Sequence, residues 1–150
     1  VLAGGKSARL YHTLVKEQQL FSQVSCYHTG SVENGLLIVF GNLSEGTAPE
    51  TGEAAIDKVI EDFVATEVSD EELLKVKNKI ESMITFEDMD LINRANNLAF
   101  YELLGDAEMM NKELDNYNNV TAKDIQEQAK QFFRKENANV LYYLAKGIKH

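Results

Sequence analysis

Two apolar segments near the start of the chain have the pattern of β-strands, with a short polar segment between them. The first, FSQVSCYHTG, alternates loosely, with Phe21 on the side opposite Val24. The second, NGLLIVFGN, is apolar on both faces from Leu36 to Phe40, which is typical of a central strand covered on each side. We therefore predict a hairpin that helices must cover.

Apolar residues recur at helical spacing through most of the remaining chain, and local start and stop signals bound each predicted helix. The start signals are Ser7 before a helix from Ala8, Pro49 in a first turn, the capping box of Ser69 with Glu72, and Thr121 with Asp124. The second helix is expected to end near Thr66, and Gly105 is expected to stop a helix that begins near Leu91. A short helix is expected around Met109 to Leu114, and NVLYYLA at the end of the chain is predicted to be a strand.

Length and charge narrow the class of protein. With 150 residues the chain suffices for one packed domain, and no apolar stretch approaches the roughly 20 residues that a membrane-spanning helix needs. The net charge of −9, with only three arginines, argues against nucleic-acid binding, because phosphate contacts need clustered Lys and Arg. Between Glu45 and Asp90 the chain has 14 acidic residues against four lysines, which indicates solvated helix faces or an acidic surface for a basic peptide.

No complete active site is visible in the sequence. The three histidines, at positions 12, 28 and 150, lack the three- or four-residue spacing of helical zinc motifs, and His12 diverges from Glu17 on an α-helix. Cys26 lies among apolar neighbours, as a buried small residue does, although His28 shares its face of the strand. A cysteine-based hydrolase using this pair is the weakest hypothesis, since no third group orients the histidine.

The segment LAGGKSARLYHTLVKEQQLFSQVSCYH resembles a region of the insulinase/pitrilysin family of zinc metallopeptidases, to which mitochondrial processing peptidase-like proteins belong. There a glycine-rich turn, a Ser cap and Arg-Leu-Tyr or Arg-Leu-Phe open a helix that leads into a strand. Two later segments, VSDEELLKVKNKI and NVTAKDIQEQAKQFF, are similar to family helices and follow in the same order.

The resemblance implies an α/β domain of the α+β type, in which helices pack on a mainly antiparallel sheet. Catalytic units of the family carry an inverted zinc motif, H-x-x-E-H, and nothing in this sequence matches it. The implied unit is therefore the non-catalytic, C-terminal type of domain, with no metal ligand of its own and zinc only in the catalytic domain of the parent. We expect residues 1–150 to be a single domain that lacks the family's first strand and helix.

The resemblance also bears on substrate contact. Active members often grip substrate with an Arg near the end of the first helix and a Tyr at the start of the next strand, but Val15 and Ser22 hold the aligned positions. Further along the hairpin, Tyr27, His28 and Asn34 are our candidates for substrate binding, although none of them matches a family residue.

Two hypotheses on function remain from these observations. The first is a substrate-enclosing domain of a zinc metalloendopeptidase that acts on peptides or unfolded polypeptides, with a catalytic domain of the same or a partner chain. The second is a catalytically inactive family member that serves as a scaffold subunit. A homodimer through an exposed sheet edge is a further partner hypothesis. Localisation is unknown, since a bacterial periplasmic and a cytoplasmic parent are both open.

Overall fold

The computed structural model describes residues 1–30 and 35–144, which form a two-stranded antiparallel sheet and six α-helices. The strands are β1 (Phe21–His28) and β2 (Leu37–Leu43). The helices are α1 (Arg9–Tyr11), α2 (Pro49–Ala65), α3 (Asp70–Glu87), α4 (Leu91–Leu103), α5 (Met109–Asn119) and α6 (Ala122–Phe132). A π-helical segment, His12–Glu17, continues α1, and a 3₁₀ turn spans Lys135–Asn137. The mixed α/β class predicted from the sequence is confirmed, and no helix in the described residues is long and apolar enough to cross a bilayer.

The first helix begins differently from the prediction. Ala8, not Ser7, is its N-cap, and no side chain caps it. The amides of Arg9 and Leu10 donate instead to the carbonyl oxygens of Val1 and Leu2, at 3.3 and 3.2 Å. With these amides satisfied by backbone, the Ser7 hydroxyl is free to accept a hydrogen bond from Lys75 Nζ at 2.6 Å.

A β-bulge in β1 corrects the predicted arrangement of its faces. Phe21 pairs with Leu43 and Gln23 with Asn42, so β1 has one extra residue at Ser22. The extra residue reverses the alternation, and Phe21 lies on the same face as Val24. Both side chains are buried there, whereas strict alternation had placed them on opposite faces.

The second strand is not covered on both sides in the part of the chain that the structure describes. Val39 and Leu43 face the core, but Phe40 is 53% exposed and Leu36 is 68% exposed. The prediction of a strand covered on both faces is therefore wrong for the described residues. The helices that form the core cover β2 on one face only, the face that carries Val39.

Most start and stop signals from α2 onward act as predicted, although α5 continues to Asn119, beyond the expected end near Leu114. Pro49 lies in the first turn of α2, and Thr66 is its C-cap. The capping box of Thr121 and Asp124 is complete, and the backbone amide of Asp124 donates to Thr121 Oγ1 at 3.2 Å. Gly105 has φ +109°, and the amides of residues 105 and 106 donate to the carbonyls of residues 102 and 101, which is the Schellman motif.

The core lies between the inner face of the sheet and helices α1, α2 and α6. Leu10 and Leu14 are fully buried at its centre. The other members of this buried cluster are Leu2, Phe21, Val24, Val59, Phe63, Val68 and Ala129. Helix α3 packs on α5, and α4 packs on α5, so these three helices form a second group beside the core.

The predicted final strand is not formed in the described residues. Residues 139–144 of this segment have no regular secondary structure, and the rest of it lies outside the described residues. Tyr142 Oη donates a hydrogen bond to the Glu53 carboxylate of α2, which raises the pKa of Tyr142 to about 12. A strand requires a partner ladder, and the apolar pattern of this segment does not supply one.

Candidate functional site

The predicted site residues lie at the far end of the hairpin from the core. Tyr27 pairs with Ile38 and His28 with Leu37. Because successive residues of a strand point to opposite faces, Tyr27 is on the outer face and His28 is on the same side as Val24 and Cys26. The structure thus does not bring Tyr27 and His28 together. Asn34, the third predicted residue, lies outside the described residues.

The end of the hairpin is closed by Thr29. Its backbone amide donates to the carbonyl oxygen of Leu36 at 2.9 Å, and the amide of Leu36 donates to Thr29 Oγ1 at 2.8 Å. A Cβ atom at Gly35 would lie 2.9 Å from His28 Nε2 and would collide with the carbonyl of Thr29. Only glycine therefore fits beside the His28 ring in this conformation.

The outer face of the hairpin is an apolar surface, which we call the outer sheet face and define by Tyr27, Leu36, Ile38 and Phe40. Tyr27 is 52% exposed, and Leu36 and Phe40 are exposed as well, whereas Ile38 is half-buried. The buried core cluster lies on the opposite face of the sheet. Sequence reasoning missed Leu36, Ile38 and Phe40, although their two-residue spacing in the second strand was the available signal.

The two positions that align with the family's substrate-gripping pair have structural contacts. Val15 packs against the buried cluster. The Ser22 hydroxyl, at the bulge, donates to the carbonyl oxygen of Asn42 at 3.1 Å. Neither side chain presents a charged or aromatic group to a ligand.

The π-helical segment changes the relation between His12 and Glu17. The amide of Gln18 donates to the carbonyl of Thr13 at 2.9 Å, a five-residue step that widens the turn. As a result His12 Nδ1 lies 3.3 Å from Glu17 Oε1, whereas an α-helix would separate them. The expectation that these two side chains diverge is therefore wrong. Within residues 1–30 and 35–144, no group of three or more His, Cys, Asp or Glu side chains could hold a metal ion.

Cys26 has the surroundings of a packing residue. It is half-buried and contacts the core cluster, and burial raises the pKa of its thiol. A nucleophilic cysteine needs the opposite shift, because the thiolate is the reactive form. These surroundings favour the packing interpretation of Cys26 over the hydrolase hypothesis.

Two open grooves flank residues 2–7. The larger, of about 520 Å³, lies between this segment and α3, and the smaller, of about 440 Å³, lies between it and β1. Lys75 and Lys79 line the larger groove, but their ammonium groups donate to Ser7 and to the carbonyl of Gly4. These lysines therefore hold the segment in place. The smaller groove is lined partly by Leu10, Val24 and Cys26.

Comparison with protein families identifies the unit. The model of the peptidase M16 inactive domain matches residues 1–80, which is more than half of the chain. This chain belongs to the peptidase M16 inactive-domain family. The resemblance to the insulinase/pitrilysin family is thereby confirmed. Comparison with curated proteins gave no match.

Solved structures share the fold of this M16 domain. A protease from Helicobacter pylori is similar, with a TM-score of 0.82 and 19% identity. The match covers 91% of this chain but only 33% of the Helicobacter pylori chain. A candidate zinc protease from Bordetella pertussis has a TM-score of 0.79 and 23% identity over 91% of this chain and 76% of that one. The inactive peptidase domain of a candidate zinc protease from Bordetella parapertussis has a TM-score of 0.79 and 24% identity, covering 91% and 74%. At these identities the likeness shows the fold.

Proposed function

We propose that this M16 domain, as a single unit over residues 1–150, is the substrate-enclosing, non-catalytic domain of a zinc-dependent metalloendopeptidase that acts on peptides. Membership of the inactive-domain family supports the non-catalytic part, as does the lack of an H-x-x-E-H motif in the sequence. The chemistry, in which zinc activates a water molecule, belongs to a catalytic domain of the same or a partner chain.

The observation that carries the proposal is the outer sheet face. Its exposed side chains combine an aromatic ring with a hydroxyl, at Tyr27, and the apolar groups of Leu36 and Phe40. Such a surface contacts unfolded polypeptides of many sequences, because burial of apolar area needs no particular partner side chain. The helical layer behind it holds the hairpin in place, as a wall around a substrate requires.

The proposal is tested by cleavage of a mixed peptide library, followed by mass spectrometry. We compare the 150-residue chain with a longer protein that joins it to an H-x-x-E-H domain, each supplied with zinc. We expect no cleavage by the chain alone and chelator-sensitive cleavage by the longer protein. In the longer protein, Phe40→Ser should raise KM more than it changes kcat, because Phe40 contacts substrate without touching the reacting bond.

A matched control is Leu74→Ser, which removes a similarly exposed apolar side chain on α3, away from the outer sheet face. Equal KM effects of Phe40→Ser and Leu74→Ser would contradict the role of the outer sheet face. Cleavage by the chain alone would contradict a non-catalytic role.

A scaffold function is the second candidate, and the contacts of Val15 and Ser22 favour it. Both positions serve the core or the hairpin, so the familiar Arg and Tyr that grip substrate are replaced by structural residues. A folded, zinc-loaded longer protein that cleaves no peptide in the library would support this candidate against the first.

A homodimer through an exposed sheet edge stays a prediction. In the described residues β1 pairs only with β2, so its other edge is the one that a second copy would use, and sedimentation analysis would detect the dimer.

A further inference from the structure

The junction between α3 and α4 carries an exposed apolar surface that the outer sheet face does not include. We call residues 86–92 the α3–α4 corner. Four of its seven side chains are apolar and largely exposed: Phe86 by 71%, Met89 by 72%, Leu91 by 81% and Ile92 by 71%. They project where the chain turns from α3 into α4, and in the described residues the main packing partner of α4 is α5.

The remaining three residues of the α3–α4 corner are acidic. Glu87, Asp88 and Asp90 lie among the apolar residues, and the sequence has no Lys or Arg between Lys79 and Arg94. In the part of the chain that the structure describes, neither Glu87 nor Asp88 forms an ion pair. Asp90 Oδ1 accepts from the amide of Ile92 at 2.8 Å, and among the described residues Asp90 likewise forms no ion pair.

This combination restricts the kind of partner that fits. An anionic lipid surface would be repelled by the three carboxylates, and a second copy of this chain, with a net charge of −9, would bring more negative charge. A polypeptide whose apolar side chains are flanked by Lys or Arg would bury the exposed area and neutralise the carboxylates together.

We propose that the α3–α4 corner docks an amphipathic segment of another polypeptide in which Lys or Arg flank the apolar side chains. The proposal does not rest on the proposed peptidase function. It concerns helices on a different part of the fold from the hairpin, and it requires no cleavage.

Fluorescence anisotropy with the 150-residue chain tests the proposal. The probe is a labelled peptide of alternating Leu and Lys pairs that is amphipathic as a helix, and the comparison peptide has Glu in place of every Lys. We expect the Lys peptide to bind and the Glu peptide not to bind. Both Met89→Ser/Leu91→Ser and Glu87→Lys/Asp88→Lys should weaken binding of the Lys peptide at least about fivefold, because each removes one of the two attractions.

Matched controls separate docking from general attraction to an acidic protein. Asp57→Lys/Glu61→Lys changes the net charge equally on the exposed side of α2, and Leu74→Ser/Leu141→Ser removes two exposed apolar side chains elsewhere. Circular dichroism checks that each variant is folded. The proposal is overturned if the Lys peptide does not bind, if the controls weaken binding as much as the corner variants, or if Met89→Ser/Leu91→Ser has no effect.

Discussion

Arg9 donates two hydrogen bonds to the carboxylate of Glu72, from Nε at 3.1 Å and from Nη2 at 2.8 Å, and so joins α1 to α3. The same guanidinium lies over the Phe63 ring, 5.3 Å from its centroid. Glu72 was predicted to reach back to its own N-cap in a capping box. Ser69 does cap α3 by accepting from the Glu72 amide, but the Glu72 carboxylate is engaged by Arg9.

We predict a measurable coupling between Arg9 and Glu72. In a double-mutant cycle of Arg9→Ala and Glu72→Ala, urea unfolding should give a coupling free energy of about 1 kcal/mol, since the pair is bidentate and only partly exposed. The exposed pair Lys58–Asp62 provides the comparison, and its coupling should be smaller. Equal couplings for the two pairs would contradict the special role of the bidentate geometry.

The same pair predicts how stability depends on pH. Hydrogen bonding to Arg9 lowers the pKa of Glu72 below its ordinary value of 4.5. A lowered folded-state pKa means that the contribution is complete above the ordinary value and is lost as pH falls through the folded value. The difference in unfolding free energy between the native chain and Glu72→Gln should therefore be greatest near neutral pH and should shrink in acid. An unchanged difference down to about pH 3 would contradict this assignment.

Gln19 is a site where a single substitution should stabilise the fold. It is the only non-glycine residue with positive φ among the described residues, at φ +53°, in the turn between the π-helical segment and β1. Left-handed backbone costs an ordinary residue about 1 kcal/mol, and glycine avoids that cost. We expect Gln19→Gly to raise the unfolding free energy by up to about 1 kcal/mol.

The neighbouring Gln18 is the matched control for this substitution. Its φ of −85° is right-handed, so Gln18→Gly gains no relief and loses backbone entropy. Thermal unfolding of the two variants side by side should give midpoints on opposite sides of the native value. A lower midpoint for Gln19→Gly would contradict the strain argument.

Gly41 of β2 should tolerate no side chain. A Cβ atom there would lie 2.7 Å from two atoms of the Phe21 ring and 3.2 Å from Val24 Cγ2. Because Phe21 is buried, the ring cannot move without disturbing the core, and Gly41→Ala should cost about 1–3 kcal/mol. At Gly30 a Cβ atom meets nothing within 4 Å, so Gly30→Ala should be nearly neutral in the same urea experiment. A comparable loss at both positions would contradict the packing argument.

Features set by neighbouring residues were the ones that the sequence predicted well. Pro49, the capping box of Thr121 with Asp124, and Gly105 each act within one turn of a helix, and all three have their predicted roles. Ser7 does not cap α1, because the carbonyls of Val1 and Leu2 accept the hydrogen bonds of the first helical amides. A local sequence pattern does not encode this contact.

The candidate site depended more on distant contacts. The bulge at Ser22 is defined only by the register of β1 with β2. A prediction that leaves out the bulge places the Phe21 side chain on the wrong face of the sheet. The pairing of His12 with Glu17 likewise depends on a π-helical turn, which the spacing of the apolar residues does not predict. Tyr27 was chosen for its place on the hairpin, and the spacing of Leu36, Ile38 and Phe40 puts those three on one face, but only the register between β1 and β2 shows that Tyr27 shares that face.

Truncation should therefore cost much more stability at one of the two phenylalanines of the hairpin than at the other. Phe21 is 4% exposed and packs in the core, so Phe21→Ala should cost about 3–5 kcal/mol in unfolding free energy. Phe40 is 53% exposed on the outer sheet face, so Phe40→Ala should change stability by no more than about 0.5 kcal/mol. Urea unfolding of both variants checks the difference. A large loss for Phe40→Ala would mean that the outer sheet face is packed within the chain, and a buried surface could not serve as the wall against which a peptide substrate lies.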